Sequence, residues 1–511
     1  MQIRRQVLGT VLTILTTGAS VSAQQPLSAI EWLNENPPTP AAMVPAEPPI
    51  TESASQPEIL VAPLETPARR SFGLVPPTVT GLPATLWNGS DPENLARLIA
   101  DLPVEELPAM QSLLYKLLLA ETEQDPDATG TQTVLLARID KLIRLGALEP
   151  AQALIEQADP ERSKALFSRW FDVTLLTGDE YKSCAVIDRA PHLAPGYSAR
   201  VFCAVRAGDW QNAALMLDTG QVLGLINPEE HALLARFLEI EAFDSAPMLA
   251  APHEITPLVF RLHEAIGEPL RAASLPRTFA VADLRDLAGW KSQLEAAERL
   301  SRSGALPANR LLGVYTARLP AASGGIWDRV EALQRFDTAL NSQSADAISK
   351  TLAPAWQAMQ SAGLDVSFAL LFSQDLGKVP LTGAAAELAY EIALLSPDYE
   401  RAAQLYNPRS DRMAFLTGLA KGDLTGFTPP DPLSAAVSQA FSALPAPQDL
   451  TDLAARGQLG EAVLRAMVLF DIGAKGDLNS LTQSLAALRA FGLEDVARRA
   501  SLQLLLRNSE T

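Results

Sequence analysis

Cys184 and Cys203 are the only two thiols in this 511-residue chain, and their spacing is typical of a disulfide bridge. The midpoint between them falls within the segment Pro191–Gly196, which reads as a connector between two helices. Residues equidistant from the turn of an antiparallel helix pair lie opposite each other, so we predict a disulfide that stabilises the fold by roughly 3 kcal/mol. A redox pair and a metal site remain alternatives, although redox cysteines usually form Cys-x-x-Cys and zinc usually takes four ligands.

The remaining residue types that could do chemistry are scattered rather than grouped. The four histidines have neither a His-Glu-x-x-His motif nor any other metal-ligand spacing; they are His192, His231, His253 and His263. The acidic pairs Glu105-Glu106 and Glu229-Glu230 resemble first turns of helices, from which acid–base carboxylates cannot be distinguished without geometry. The sequence has no nucleophile elbow, phosphate-binding loop or dinucleotide fingerprint. We therefore predict no catalytic, cofactor-binding or metal-binding residues, and no cofactor.

One turn pattern occurs three times between about residues 142 and 217. Its copies are Arg144–Ala151, Leu176–Ser183 and Arg206–Ala213, with glycines at 146, 178 and 208. Each copy has an apolar helical run, a glycine, a large apolar residue soon after it, and a small residue five places on. The glycine spacing of 32 and 30 residues is close to the period of helix–turn–helix repeats.

The pattern has a direct physical interpretation as a helical hairpin. A glycine after an apolar run is the usual left-handed C-cap, and an acidic residue after it suits the start of the next helix. The small residues Ala151, Ser183 and Ala213 would let two antiparallel helices approach closely. We expect Tyr181 and Trp210 to fill the wider gap above them.

These turns resemble the tetratricopeptide repeat, whose hairpin turn reads Gly-Asp-Tyr-x-x-Ala and whose repeats end near a proline. That proline is expected at the positions of Pro160, Pro191 and Pro228. The same turn occurs again at Gly457–Ala462 and Gly492–Ala497. The resemblance covers residues 133–245 and 450–505 and is degenerate between them. It implies an all-α fold, a right-handed α-solenoid of degenerate helical hairpins over residues 86–511, with bends near 246–282 and 426–449. An irregular helical bundle with glycine-capped turns is the alternative.

The segment before the repeats reads as a targeting signal followed by a spacer. Residues 1–23 have a short basic start, a modest apolar stretch and a small-residue cleavage site near Ala23, which predicts a signal peptide exported by the general or the twin-arginine route. An uncleaved anchor is the alternative. Residues 24–85 are rich in proline and are predicted to be a disordered linker. Within it, a short amphipathic island is a candidate docking peptide: Leu27, Ile30, Trp32 and Leu33.

The net charge of the chain argues against two classes of partner. The formal net charge is −18, which repels nucleic acid and anionic lipid, so we predict neither as a partner. The apolar run within residues 1–23 is too short and too broken by Thr and Gly for a transmembrane anchor, so we predict no stable membrane span in the mature chain. Helical repeats, export and the absence of a catalytic motif together predict a periplasmic, non-enzymatic scaffold or adaptor. Its partner would be another envelope protein or a peptide, bound in a helical-repeat groove.

Two other functions remain open. A structural protein associated with the envelope or peptidoglycan would use the proline-rich arm as a spacer. Soluble lytic transglycosylases also carry an exported α-helical superhelix, so the chain is similar to their non-catalytic part. Their lysozyme-like catalytic segment, which carries Glu-Ser and Gly-Leu-Met-Gln motifs, has no counterpart in this sequence.

Overall fold

The computed structural model describes residues 70–103, 107–124, 131–239, 247–285, 287–442 and 444–507. Contacts divide the chain after Thr66, and every described residue belongs to the unit Pro67–Thr511. About 70% of the structure is helical, which confirms the predicted all-α class. The signal peptide, the candidate docking peptide and Glu105-Glu106 lie outside the described residues, so those predictions stay predictions.

The described chain begins with a small folded segment rather than with a linker. Its elements are β1 (Arg70–Phe72), α1 (Pro77–Thr80), α2 (Pro92–Asp101), α3 (Pro108–Leu119) and β2 (Thr122–Gln124). The two short strands pair antiparallel, with Phe72 opposite Thr122. Phe72, Leu82 and Leu86 are buried. The predicted linker boundary at residue 85 is therefore wrong, because these apolar residues between the last prolines join the core.

A first array of helices carries the three predicted hairpins. It comprises α4 (Thr131–Leu145), α5 (Leu148–Gln157), α6 (Lys164–Thr177), α7 (Glu180–Arg189), α8 (Tyr197–Arg206), α9 (Trp210–Val222) and α10 (Pro228–Leu238). Gly178 ends α6 at φ 91°, a left-handed conformation that costs glycine little. The backbone amides of Gly178 and Asp179 both donate to the carbonyl of Thr174, which closes the helix end as the glycine pattern predicts.

The small residues of the hairpin turns are buried as predicted, whereas the aromatic residues are exposed. Ala151, Ser183 and Ala213 are fully buried between neighbouring helices. Tyr181 and Trp210, in contrast, are 66% and 51% exposed, so the prediction that they fill a gap is wrong. Both stand in the first turn of the second helix of a hairpin, where their side chains point away from the packed face.

A return segment folds back onto the first array. It consists of α11 (Pro257–Ala265), α12 (Ala280–Asp283) and α13 (Trp290–Arg302), and α11 and α12 pack against α6. Glu180, at the start of α7, is buried and pairs with Arg206 at 3.1 Å and with Arg261 of α11 at 3.0 Å. This carboxylate, which both arginines share, joins the return segment to the first array. A buried charge is stable only when it has such partners.

The rest of the unit is helical and leads back to its beginning. A second array comprises α14 (Ala308–Thr316), α15 (Ile326–Asn341), α16 (Ala345–Ser361), α17 (Asp365–Leu376) and α18 (Gly383–Leu394). The C-terminal helices are α19 (Tyr399–Leu405), α20 (Asp411–Lys421), α21 (Pro432–Phe441), α22 (Gln448–Ala455), α23 (Leu459–Ala474), α24 (Leu478–Ala490) and α25 (Glu494–Arg507).

The two ends of the unit meet along a seam, which we define as the contact of α2 and α3 with α23 and α25. The backbone amide of Gly460 donates to the carbonyl of Leu86 at 3.0 Å. Asn94 of α2 donates to Glu461 of α23 at 2.9 Å. The repeat pattern predicts stacking between sequence neighbours, and it does not predict this contact between chain ends.

Candidate functional site

The predicted disulfide is confirmed. Cys184 of α7 and Cys203 of α8 are bonded, with their Cα atoms 5.0 Å apart. The bridge joins the second helix of one hairpin to the first helix of the next, across the Pro191–Leu193 turn. A metal site, one of the alternatives, does not fit two buried sulfurs that are already bonded to each other.

Two of the four histidines, His253 and His263, line one cavity of about 480 Å³ together with Glu229 and Glu230. His263 of α11 is buried, and burial lowers the pKa of its imidazole. His231, in the first turns of α10, is half-buried. Glu229 and Glu230 lie in the first turn of α10, as predicted, where the helix dipole favours carboxylates. No group of three His, Cys, Asp or Glu residues in the described ranges could hold a metal ion.

The seam contains a cavity of about 750 Å³, which we call the seam cavity. It is bounded by the end of α2, the start of α3, and faces of α4, α23 and α25. Its apolar wall comes from both ends of the unit and comprises Leu102, Leu107, Met110, Phe470, Ala500 and Leu504. Cavities of roughly 300–1,000 Å³ with a few convergent polar groups are typical of small-ligand sites.

Two buried polar side chains close the helix ends that border the seam cavity. Lys141 of α4 donates to the carbonyls of Ala100 and Leu102, at 3.1 and 2.7 Å, and so caps the C-terminus of α2. Gln503 of α25 is only 4% exposed, and its Oε1 accepts a hydrogen bond from the Ala109 amide at 2.8 Å. Each side chain therefore has a structural partner and also borders the cavity.

The described side chains that line the seam cavity include more cations than carboxylates. Its cationic lining residues are Lys141, Arg144, Lys475 and Arg507, and its carboxylates are Asp101 and Asp471. Arg144 is exposed and has no hydrogen bond or ion pair with any described residue. Lys475 pairs with Asp471 at 2.7 Å, and the Nε of Arg507 lies 3.3 Å from Asp365 of α17. Among the lining residues that the structure describes, four are cationic and two are carboxylates, in a chain of net charge −18.

A second candidate surface lies on α9, which packs between α8 and α10. Its outward side and the turn after it expose four aliphatic side chains, which we call the α9 ridge: Leu215, Val222, Leu223 and Leu225. Val222 is 85% exposed and Leu215 is 66% exposed. No stretch of similar length among the described residues exposes as many large apolar side chains. Clusters of this kind mark interaction sites, whereas single exposed residues need no explanation.

Close packing on the inner side of α9 determines which residues face outward. A Cβ at Gly220 would lie 2.7 Å from Ile226 and 2.8 Å from the ring of Tyr197 on α8. This fit, together with buried Ala213 and Leu217, places the opposite side of the helix in solvent.

The α9 ridge lies in an acidic stretch of sequence. Residues 207–235 contain no lysine or arginine, and their carboxylates are Asp209, Asp218, Glu229 and Glu230. Asp218 is on the same face of α9 as Leu215 and Val222, since these positions recur at helical spacing. The exposed face of α9 therefore combines apolar side chains with the carboxylate of Asp218.

Sequence reasoning missed both surfaces, for different reasons. The α9 ridge had a visible signal, namely apolar residues without nearby basic residues over 207–235. The seam cavity had none, because its two walls are separated by more than 300 residues in the chain. Only the folded unit brings them together.

Within the described ranges no helix combines the length and the apolar character needed to cross a bilayer. Comparison with protein-family models, with curated proteins and with solved structures finds no match to this chain.

Proposed function

We propose that this chain is an exported, non-enzymatic adaptor that works in the bacterial periplasm and binds another envelope protein through the α9 ridge. The observation that carries the proposal is the α9 ridge itself, an exposed aliphatic cluster on a helix held in a disulfide-linked array. A right-handed stacking of the hairpins, which the resemblance to tetratricopeptide repeats implies, is part of the same proposal.

Export is supported by two independent features. Residues 1–23 have the composition of a signal peptide with cleavage near Ala23. The bridge between Cys184 and Cys203 suits an oxidising compartment, since disulfides are rare in the cytosol of most organisms. Both features agree with the periplasm as the site of action.

The chemistry of the α9 ridge specifies the partner. Aliphatic side chains with carboxylates beside them match an amphipathic segment that has an apolar face and flanking lysine or arginine residues. Burying the exposed side chains would supply affinity, and the carboxylates would supply orientation and partner choice. Because the ridge repels anionic surfaces, the partner is a basic protein segment rather than a lipid bilayer or nucleic acid.

Site-specific photo-crosslinking in the producing cells tests this function. A photoreactive amino acid at Val222 is expected to capture a discrete partner whose crosslinked peptide is basic and amphipathic. The same amino acid at Leu405 of α19, which is 83% exposed, is the matched control. Capture of the same proteins at both positions, or of no protein at Val222, would contradict the proposal.

Affinity measurements with the captured segment then test the chemistry of the surface. The double variant Val222→Ser/Leu223→Ser should bind roughly tenfold more weakly, since two exposed apolar contacts are lost while the fold is kept. Asp218→Asn with Glu230→Gln should weaken binding and reduce its dependence on salt. Unchanged affinity in both double variants would show that the partner binds elsewhere. Recovery of the chain with sedimented sacculi would instead favour the envelope-structural alternative.

A further inference from the structure

The N-terminus of α3 opens into the seam cavity and depends on another helix for its cap. Its N-cap residue is Leu107, whose side chain offers no acceptor, and Pro108 has no amide hydrogen. The acceptor is supplied by Gln503 of α25, from the far side of the seam. The positive end of the α3 dipole is therefore held at the cavity wall.

The same glutamine leaves a donor at this wall. Because Oε1 accepts from Ala109, the amide orientation is fixed and Nε2 occupies the other position. Nε2 makes no hydrogen bond to any described residue, and Gln503 lines the cavity while being 4% exposed. Because Gln503 is buried apart from its contact with the cavity, a ligand in the cavity can accept from Nε2 in place of water.

The surroundings define the charge and shape of that ligand. Arg144 stands at the cavity without an ion-pair partner among the described residues, and Lys141 adds a second, buried positive charge. Leu102, Phe470 and Leu504 provide an apolar wall next to these groups. A ligand with a compact anionic end and an apolar body satisfies both parts of the lining.

We propose that the seam cavity binds a carboxylate attached to an apolar body, with the carboxylate accepting from Gln503 Nε2 at the N-terminus of α3. Arg144 supplies the counter-charge, and the body of the ligand lies against Phe470 and Leu504. The site is distinct from the α9 ridge and does not depend on the function proposed for it. Two sources share this chemistry: a free alkyl carboxylate and the carboxy-terminal end of an apolar peptide.

Titration calorimetry on the full chain distinguishes the sources. The probes are decanoate below its micelle concentration, decanamide, and acetyl-Ala-Leu-Leu-Leu with a free or an amidated carboxy terminus. At least one acid should bind, and its amide should bind roughly tenfold or more weakly, because only the acid carries the charge. Binding of decanoate alone identifies an alkyl carboxylate site, binding of the free peptide alone identifies a chain-end site, and binding of both identifies the shared class.

Gln503→Glu isolates the proposed donor. The new carboxylate still accepts from the Ala109 amide and suits the helix dipole, so the seam is preserved, but the donor becomes a negative charge. Affinity for the acid should fall at least about tenfold. Gln439→Glu on α21, an exposed position away from the cavity, makes the same charge change and should leave affinity unchanged.

Arg144→Ala provides a second variant that the fold tolerates, since the side chain is exposed, and it should weaken binding of the acid several-fold. The proposal is overturned if neither acid binds, if acid and amide bind equally, or if Gln503→Glu and Arg144→Ala both bind the acid as the native chain does.

Discussion

Asp172 of α6 is a half-buried carboxylate with an unusual ionisation. Burial raises its pKa to about 7, and the nearby charge of Arg169 opposes this change only in part. The folded state therefore holds a proton at Asp172 over a pH range in which the unfolded chain has released it. The stabilising contribution of this proton is complete below about pH 4 and is lost as the pH rises through about 7.

Asp172→Asn should therefore stabilise the protein more at pH 8.5 than at pH 5. The asparagine carries no charge to bury, so we expect the difference between the two pH values to be about 2 kcal/mol in the free energy of unfolding. Urea unfolding at both pH values measures it. Asp346→Asn on α16 removes an equivalent charge at an exposed position and serves as the control. An equal effect of Asp172→Asn at both pH values would show that this carboxyl is ionised throughout.

At the scale of elements, the bridge between α7 and α8 adds a covalent link between the second helix of one hairpin and the first helix of the next. The loop it closes spans 19 residues, and such a constraint lowers the entropy of the unfolded chain. It also fixes the hairpin next to α9, so the α9 ridge rests on an array that cannot separate at this point.

The double variant Cys184→Ala/Cys203→Ala should lose roughly 3 kcal/mol of stability. Urea unfolding with and without a reductant measures the loss. The native chain should become less stable when reduced, whereas the double variant should not respond to the reductant. A native chain that unfolds identically in both conditions would show that the bridge does not constrain the unfolded state.

At the scale of the whole unit, the seam determines whether the described helices form a closed unit or an open array. Gly460, in the first turn of α23, lies against Leu86 and Trp87. An added Cβ would stand 2.6 Å from the Leu86 carbonyl oxygen and 2.7 Å from the Trp87 ring. The backbone carbonyl cannot easily move, since the Gly460 amide also donates to it.

Gly460→Ala should therefore destabilise the unit by about 1–3 kcal/mol, although alanine is the better helix former. Gly313→Ala on α14 is the matched control, because a Cβ there meets no atom within 4 Å. It should stabilise by about 0.5–1 kcal/mol. Hydrogen exchange should quicken in α2 and α23 of Gly460→Ala and stay unchanged in α15 and α16. A uniform change in exchange would mean that the seam does not open separately.

The accuracy of the sequence-based predictions depended on how local their physical cause was. Gly178 and Ala151 were predicted correctly, because a left-handed cap and a close helix contact follow from a few adjacent residues. The pairing of Cys184 with Cys203 was also correct, since it depends on a single antiparallel turn. The prediction that Trp210 fills a gap between helices was wrong, because the direction of its side chain depends on which face of α9 meets the neighbouring helices.

The sequence by itself determined the all-α class, the positions of the hairpin turns and the disulfide, because helix caps and periodicity act over a few residues. Only the tertiary structure decided that α25 returns to α3 and that Gln503 caps a helix nearly 400 residues away in the chain. Contacts of such long range follow from the packing of whole helices, and no local pattern encodes them. The seam cavity therefore became visible only in the folded unit, and only the packing of α9 showed which of its faces is exposed.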